Sequence, residues 1–381
     1  MIMFDVIIVG AGFAGAVMAE RFASQNKSVL VIERRFHIGG NCFDEIDDNG
    51  ILIHRYGPHI FHTDDEEVWK YLSRFTEWRA YHHHVLAMID GQMLPIPFNL
   101  NTLHRAFPES MAEKFELALL NRYDYNTKVP ILKLKQSTDK DLRYIADFVY
   151  EKIFLHYTTK QWGLDPENIE GAVTARVPIF VGRDDRYFND RFQAVPIKGY
   201  TQLFQNMLRH DKIKLMLNTN FSDVLRVDGE RILFLDQPFE GLVIFTGQLD
   251  ELFDYRFGAL PYRSVDMKFE TIETPDYQPA ATVNYPNNYD FTRITEFKKI
   301  HPCNSPSTTI LKEYPQDYVK GVNTPYYPIF TDENKVRFEQ YSQPASRIEN
   351  LITVGRLAEY RYYDMDDIVR RALDVFNSIE G

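Results

Sequence analysis

The stretch "DVIIVGAGFAGAVMAERFA", which begins at Asp5, constrains the fold more than any other part of this 381-residue chain. It sets Gly10, Gly12 and Gly15 in the spacing G-x-G-x-x-G. The β-branched run before the glycines reads as a buried strand. "AGAVMAERFASQ" follows, with Ala16, Ala19, Phe22 and Ala23 at helical spacing, and "SVLVIE" is the next strand. This βαβ unit takes about 30 residues, as half of a Rossmann fold requires. In such a unit Gly10 permits the tight turn, Gly12 lets backbone approach a pyrophosphate, and Gly15 lets helix and strand pack closely. The helix N-terminus turns its positive end to the phosphates. Glu33 closes the second strand, where an acid binds a ribose hydroxyl pair. A purely structural glycine turn would not need strand, helix and acid in this order.

NAD and FAD share that fingerprint. "ERRFHIGGN" separates them: Gly39-Gly40 makes a second backbone site close to a diphosphate, and Asn41 adds a side-chain donor. A second glycine site suits the longer FAD. Near the C-terminus, "GRLAEYRYYDMDDIV" places Arg356 after a strand, suited to a flavin edge or a phosphate. Asp364-Met365 opens a helix whose free N–H groups suit the flavin's pyrimidine oxygens.

Composition narrows the class. The chain is 44% hydrophobic and 25% charged, as in a soluble globular protein of two or three domains. A net charge of −11 disfavours a nucleic-acid partner. The two cysteines, Cys42 and Cys303, make neither a disulfide framework nor a zinc site and fit a reducing, cytoplasmic setting. No run of about 18 apolar residues is present, and "MIMFDVIIVG" reads as a strand rather than a signal peptide.

Residues 64–76, 101–122 and 138–162 read as helices, the last capped by Thr138 or Asp139. "HHHVLAMIDGQMLPIPF" reads as a hairpin turning at Asp90-Gly91. The region 262–340 alternates short strands with Pro- and Asn-rich turns. The expected fold class is α/β: a Rossmann-like FAD-binding domain with an inserted helical domain and a mostly antiparallel β-sheet domain. The FAD domain takes residues 1–67, about 200–260 and 345–381. The helical domain takes about 100–172. The sheet domain takes about 78–99, 173–199 and 261–344.

The chain resembles the UDP-galactopyranose mutase family of bacterial type. The resemblance rests on "VGAGFAGAV", "VIERRFHIGGN", "YGPHIFHT", "YTTKQWG", "ARVP", "RYFNDRFQAVP", "GYTQLFQNML", "FDYRFGALPYRS", "FTRITEFK", "KEYP", "PYYP" and "VGRLAEYRYYDM", in that order from residue 5 to past 365. Gln248 stands where Pro is expected, Cys42-Phe43 where Ala-Tyr is usual, and His82–His84 where Asn is common. The resemblance implies an FAD enzyme that interconverts UDP-galactopyranose and UDP-galactofuranose for cell-wall polysaccharide, as a cytoplasmic homodimer without membrane contact. It implies that N5 of reduced FAD attacks the anomeric carbon, that UDP leaves and returns, and that there is no net redox change. NAD(P)H or another reductant is then needed only for priming.

The resemblance also assigns residues. Arg176 and Arg293 take the two arginine positions that hold the departing diphosphate, whose oxygens suit guanidinium forks. His59 lies against the flavin and tunes it or shuttles a proton. Tyr157 and Trp162, with Phe154 one turn earlier, offer flat faces to uridine. Tyr187, Tyr327 (with Tyr326 its immediate neighbour) and Tyr362 donate near the diphosphate. Glu313 lies near the sugar, Asp364 near flavin and substrate, and His83 contacts substrate. The cofactor set is Gly10, Gly12, Ala14, Gly15, Glu33, Arg34, Gly39, Gly40, Asn41, His59, Ile60, Arg356, Tyr363, Asp364, Met365 and Ile368. His59 and His62 are three apart, but no third ligand follows by spacing, so no metal is expected. Gly182 marks a mobile lid near Arg176. Two rivals share the fingerprint: an FAD oxidoreductase of the amine-oxidase type, and a non-catalytic nucleotide-sugar binder. The oxidoreductase would not need the paired arginines or the Tyr–Trp element; the binder would keep the fold and is told apart by the absence of turnover.

Overall fold

The computed structural model describes residues 4–163 and 178–380. Arg176 lies outside the described residues, as does the side chain of Trp162. A five-stranded sheet forms around the glycine loop. Its strands run in the order Ile213–Met216, Val29–Ile32, Val6–Val9, Leu242–Phe245 and Leu351–Thr353, all parallel. In chain order this is 3-2-1-4-5, with the reversal beside the first strand. Loops that leave the carboxyl ends of strands at such a reversal part from one another and open a crevice.

Val6–Val9 and Val29–Ile32 are buried along their whole length, as strands covered on both faces must be. The helix Phe13–Ser24 covers one face and packs on the C-terminal helix Met365–Glu380 through Phe22 and Phe376. The approach of this helix to the sheet depends on Gly15. A Cβ there would stand 1.9 Å from the carbonyl oxygen of Gly10.

The second large element is a seven-stranded sheet. Its order is Tyr327–Pro328, Tyr262–Ile272, Thr308–Asp317, Arg293–Glu296, Thr282–Asn284, Val85–Ile89 and Gln92–Ile96. All pairs are antiparallel except Thr282–Asn284 with Val85–Ile89. The expected hairpin turns at Asp90-Gly91, both at positive φ. Two strands exceed expectation: Tyr262–Ile272 and Thr308–Asp317 pair from Arg263↔Asp317 to Ile272↔Thr308. The two described strands of the segment 178–199, expected in the sheet domain, do not pair into this sheet. Pro178–Val181 pairs with Thr127–Pro130 beside the helices, and Phe192–Pro196 sits between Phe61–Thr63 and Trp78–Ala80.

The helical block also departs from the pattern. The single helix expected over 101–122 is two, Leu100–Ala106 and Glu109–Leu120. Pro108 separates them, since it has no N–H to continue the first and suits the start of the second. After the short helix Ile131–Lys135, Asp139 caps a further helix by accepting from the backbone N–H of Asp141 at 2.8 Å. That helix runs Lys140–Val149, changes to a π-helical stretch at Tyr150–Leu155, and resumes as His156–Trp162.

Candidate active site

Two adjoining cavities lie where the sheets meet. The first, about 240 Å³, is a cradle at the carboxyl ends of Val6–Val9, Val29–Ile32 and Leu242–Phe245. Gly12 precedes the Phe13–Ser24 helix, and no side chain caps that terminus. Its first N–H groups are therefore open to an anion. The second loop reaches the first so closely that a Cβ on Gly40 would stand 3.0 Å from Gly12 Cα. Glu33 is buried and braces both loops: Oε2 accepts from Ala11 N and Oε1 from Arg35 N, each at 2.9 Å.

Of the expected cofactor residues, Gly10, Gly12, Ala14, Glu33, Arg34, Gly39, Gly40, Asn41, His59, Arg356, Tyr363, Asp364, Met365 and Ile368 line this cradle. Gly15 lies behind it and serves packing. Ile60 borders the second cavity instead. Arg35 was missed. Its guanidinium stacks on Tyr56, Nη2 donates to Asn41 Oδ1 at 2.9 Å, and Nη1 is buried with no partner among the described residues. An orphaned buried donor beside an open helix terminus fits a bound diphosphate. The signal was its place two residues after Glu33, where Arg34 was read as the contact.

The second cavity, about 580 Å³, is a polar cleft between the cradle, the seven-stranded sheet and the helix His156–Trp162. Tyr157, Tyr187, Arg293, Tyr327, Tyr362, Asp364, His59 and His83 all line it. Phe154 does not. It is 2% exposed and packs against Tyr150 in the apolar core of the helical block, because the π-helical stretch alters the facing between it and Tyr157. Glu313 lies just behind the wall, 3% exposed, with Oε1 accepting from Arg293 Nε at 2.6 Å. Tyr326 borders both cavities, so each tyrosine of the pair faces a site. Tyr56 and Phe188 also line the cleft and carried no local pattern that marked them.

Electrostatics sort these groups by role. Burial opposes the charge on Arg293, but the adjacent Glu313 carboxylate outweighs it and holds the guanidinium pKa above its ordinary value. Burial raises the hydroxyl pKa of Tyr157 and Tyr362, which keeps both as neutral donors. The Tyr362 hydroxyl donates to Asp364 Oδ1 at 3.0 Å. Burial, with Arg293 next, pushes His83 down to about 3. His59 is pushed down to about 4 by burial and by Arg356 and Arg293.

The tautomers follow from the partners. His59 Nδ1 lies 2.8 Å from the Gly57 carbonyl and must donate, so Nε2 is the ring's acceptor. His54 Nδ1 accepts from His59 N–H at 2.9 Å, so its Nε2 carries the proton and donates to His301 Nε2 at 3.0 Å. Arg356 is held at the wall between the cavities. It donates to the carbonyls of Tyr363 and Tyr326, and its guanidinium lies 5.0 Å from the Tyr362 ring centre. Among the described residues no group of three or more His, Cys, Asp or Glu side chains could hold a metal ion.

Comparisons with known proteins agree with this geometry. The sequence model of the UDP-galactopyranose mutase family matches residues 152–362. That of the NAD(P)-binding Rossmann-like domain matches residues 8–75. A dTDP-fucopyranose mutase of Escherichia coli is 35% identical over 98% of this chain and 97% of its own length. A probable UDP-galactopyranose mutase of Klebsiella pneumoniae is 35% identical over 97% of this chain and 93% of its own. A crystal structure of reduced UDP-galactopyranose mutase shares the fold, with a TM-score of 0.72 at 16% identity over 100% of this chain and 94% of that one. Sequence, fold and the paired cavities together place the chain in the UDP-galactopyranose mutase family.

Proposed function

We propose that the protein is a flavin-dependent mutase that interconverts UDP-galactopyranose and UDP-galactofuranose. The observation that carries this reading is the shared wall: His59, Arg356, Asp364 and Met365 border both the dinucleotide cradle and the cleft that holds Arg293. A nucleotide sugar whose diphosphate meets Arg293 then has its hexose beside the cofactor. The cradle's open helix terminus, its close glycine loops and the orphaned Arg35 donor suit FAD. Reduced FAD, when bound, supplies an electron-rich nitrogen toward the anomeric carbon.

The chain's own residues supply the rest. Arg293 spends Nε on Glu313 and keeps its remaining donors for diphosphate oxygens, whose charge grows as UDP departs. Glu313 fixes the plane of that fork. Tyr187, Tyr327 and Tyr362 offer hydroxyls around the same charge. Tyr157 offers the uracil a ring face. Neutral His59, whose Nε2 is not used by Gly57, is suited to accept a hydrogen bond from a sugar hydroxyl. Arg176 is proposed as the second diphosphate ligand and Trp162 as a second stacking face.

The protein is further proposed to be a cytoplasmic homodimer primed by NAD(P)H. No described helix is long and apolar enough to cross a membrane. Leu117, Leu120, Leu132 and Tyr144 are exposed on the helices of the helical block, apolar surface of the kind a second copy would cover. Light scattering tests the dimer.

The functional test is incubation of dithionite-reduced protein with UDP-galactofuranose and chromatography for the pyranose. Conversion by reduced but not oxidised protein is expected. Equal rates in both states overturn the reading. A second reading, that the sugar nucleotide is dTDP-fucopyranose, is motivated by the 35% identity to the Escherichia coli dTDP-fucopyranose mutase; turnover of dTDP-fucopyranose without turnover of the UDP-sugar selects it.

A further inference from the structure

The helix that carries Tyr157 and the strand that carries Arg293 are joined by a cation that the reading above leaves without a part. Lys160 stands one turn after Tyr157 in the helix His156–Trp162. Its ammonium crosses to the segment just before Arg293. There it donates to the carbonyl oxygens of Tyr285 at 2.6 Å, Tyr289 at 3.1 Å and Phe291 at 3.3 Å. An ammonium has three donors, and all three are used.

The link runs both ways. Asn287, in the same segment, donates to the carbonyl of Lys152 at 2.8 Å, within the π-helical stretch Tyr150–Leu155. Arg263, buried in the strand Tyr262–Ile272, holds the far end of the helix. Its Nε donates to the Gln161 carbonyl at 3.2 Å and its Nη2 to that of Lys160 at 3.3 Å. Lys160 is half-buried, and burial pulls its pKa down to about 8 against the pull of Asp290. A cation desolvated in this way is held by its three carbonyls rather than by water.

We propose that Lys160 is a positioning residue: it fixes the spacing between Tyr157 and Arg293 across the cleft. This rests on the reading of the cleft as a nucleotide-sugar site, with the base on Tyr157 and the diphosphate on Arg293. One ligand then spans both elements, and the clasp determines whether it meets both at once. A misplacement of about 1 Å in such a frame costs up to roughly a hundredfold in rate.

The test uses K160M, which keeps the stem and removes the donors, K160R, which keeps donors and charge, and N287A, which cuts only the return bond. For each, kcat, KM and the dissociation constant of UDP are measured on the reduced enzyme, with flavin absorbance reporting an intact cradle. K160M is expected to keep its flavin while KM and the UDP constant rise together by about tenfold, the scale of a hydrogen bond to a charged group. K160R recovers most of that loss, and N287A shifts both constants the same way by about threefold. Wild-type KM and UDP affinity in K160M overturn the proposal, as does K160R no better than K160M. Should K160M not fold, N287A decides: unchanged constants overturn the proposal and raised ones uphold it. If the wild-type enzyme converts no UDP-sugar, the functional reading fails. If it does and the variants match it, only the clasp fails.

Discussion

The cradle and the cleft adjoin, yet they are built from different material. The cradle is mostly backbone: two glycine loops and a helix terminus at the ends of parallel strands, with Glu33 bracing both loops. Its main parts lie within residues 9–42, so one local spacing specifies them. The cleft is mostly side chain. Tyr157, Arg293, Tyr327 and Tyr362 come from a helix, two sheet strands and a loop that are far apart in the chain. A backbone site tolerates no Cβ where atoms already touch. A side-chain site is set by ion pairs and burial, and it degrades residue by residue.

The comparison breaks most sharply at Gly15. Gly15→Val puts carbon into the Gly10 carbonyl and should yield protein without flavin, read from visible absorbance after purification. Retained flavin would mean that the loops are not the rigid part. Next is Arg293→Met, which leaves Glu313 buried and unpaired. Arg293 keeps 27% of its side chain exposed, so its removal costs less than the roughly 3–5 kcal/mol of a fully buried pair. Turnover should fall by roughly two to three orders of magnitude, with flavin kept. Loss of flavin together with activity would join the two sites into one unit.

Two histidines of the cleft wall, His83 buried and His59 half-buried, give the third contrast. His59 and His83 are held at about 4 and about 3, against an ordinary value near 6.5. Their folded pKa values lie below the unfolded ones, so the unfolded chain binds the extra protons. The stability tied to these two groups is intact above pH 6.5 and falls as pH drops toward the folded values, on the order of 2 kcal/mol per histidine by pH 5, with His301 and His54 adding in the same direction. Urea melts at pH 7 and pH 5 check this, and His83→Gln should flatten the profile. A pH-independent midpoint would show that the cleft wall hydrates its imidazoles. The smallest effect is expected at Tyr157. Tyr157→Ala should weaken UDP by about 1–3 kcal/mol, the range of one base–aromatic contact. Unaltered UDP affinity would move the base elsewhere in the cleft.

This difference in material also governs what the sequence could reveal. Strand, glycines, helix and Glu33 follow one another within a few turns of chain, and the periodicity of each is local. Arg293 and Glu313 pair across neighbouring strands through the register Arg293↔Glu313, which no spacing in the sequence states. Resemblance to a family named each as a site residue, one for the diphosphate and one for the sugar, and not as a pair. Phe154 shows where helical arithmetic fails: it assumes 3.6 residues per turn, and Phe154 lies within a π-helical stretch, Tyr150–Leu155, while Tyr157 lies in the α-helix after it. Arg35 was hidden by the adjacent Arg34. Both are basic and follow the acid, and only the folded loop shows which of them is buried on Tyr56 and Asn41.

The wall common to both cavities has a further consequence. His59, Arg356, Asp364 and Met365 cannot answer to one occupant without answering to the other. Thermodynamic reciprocity then requires that any tightening one guest induces be returned in equal measure. Whatever factor a guest in the cleft applies to affinity in the cradle, a guest in the cradle applies the same factor to affinity in the cleft.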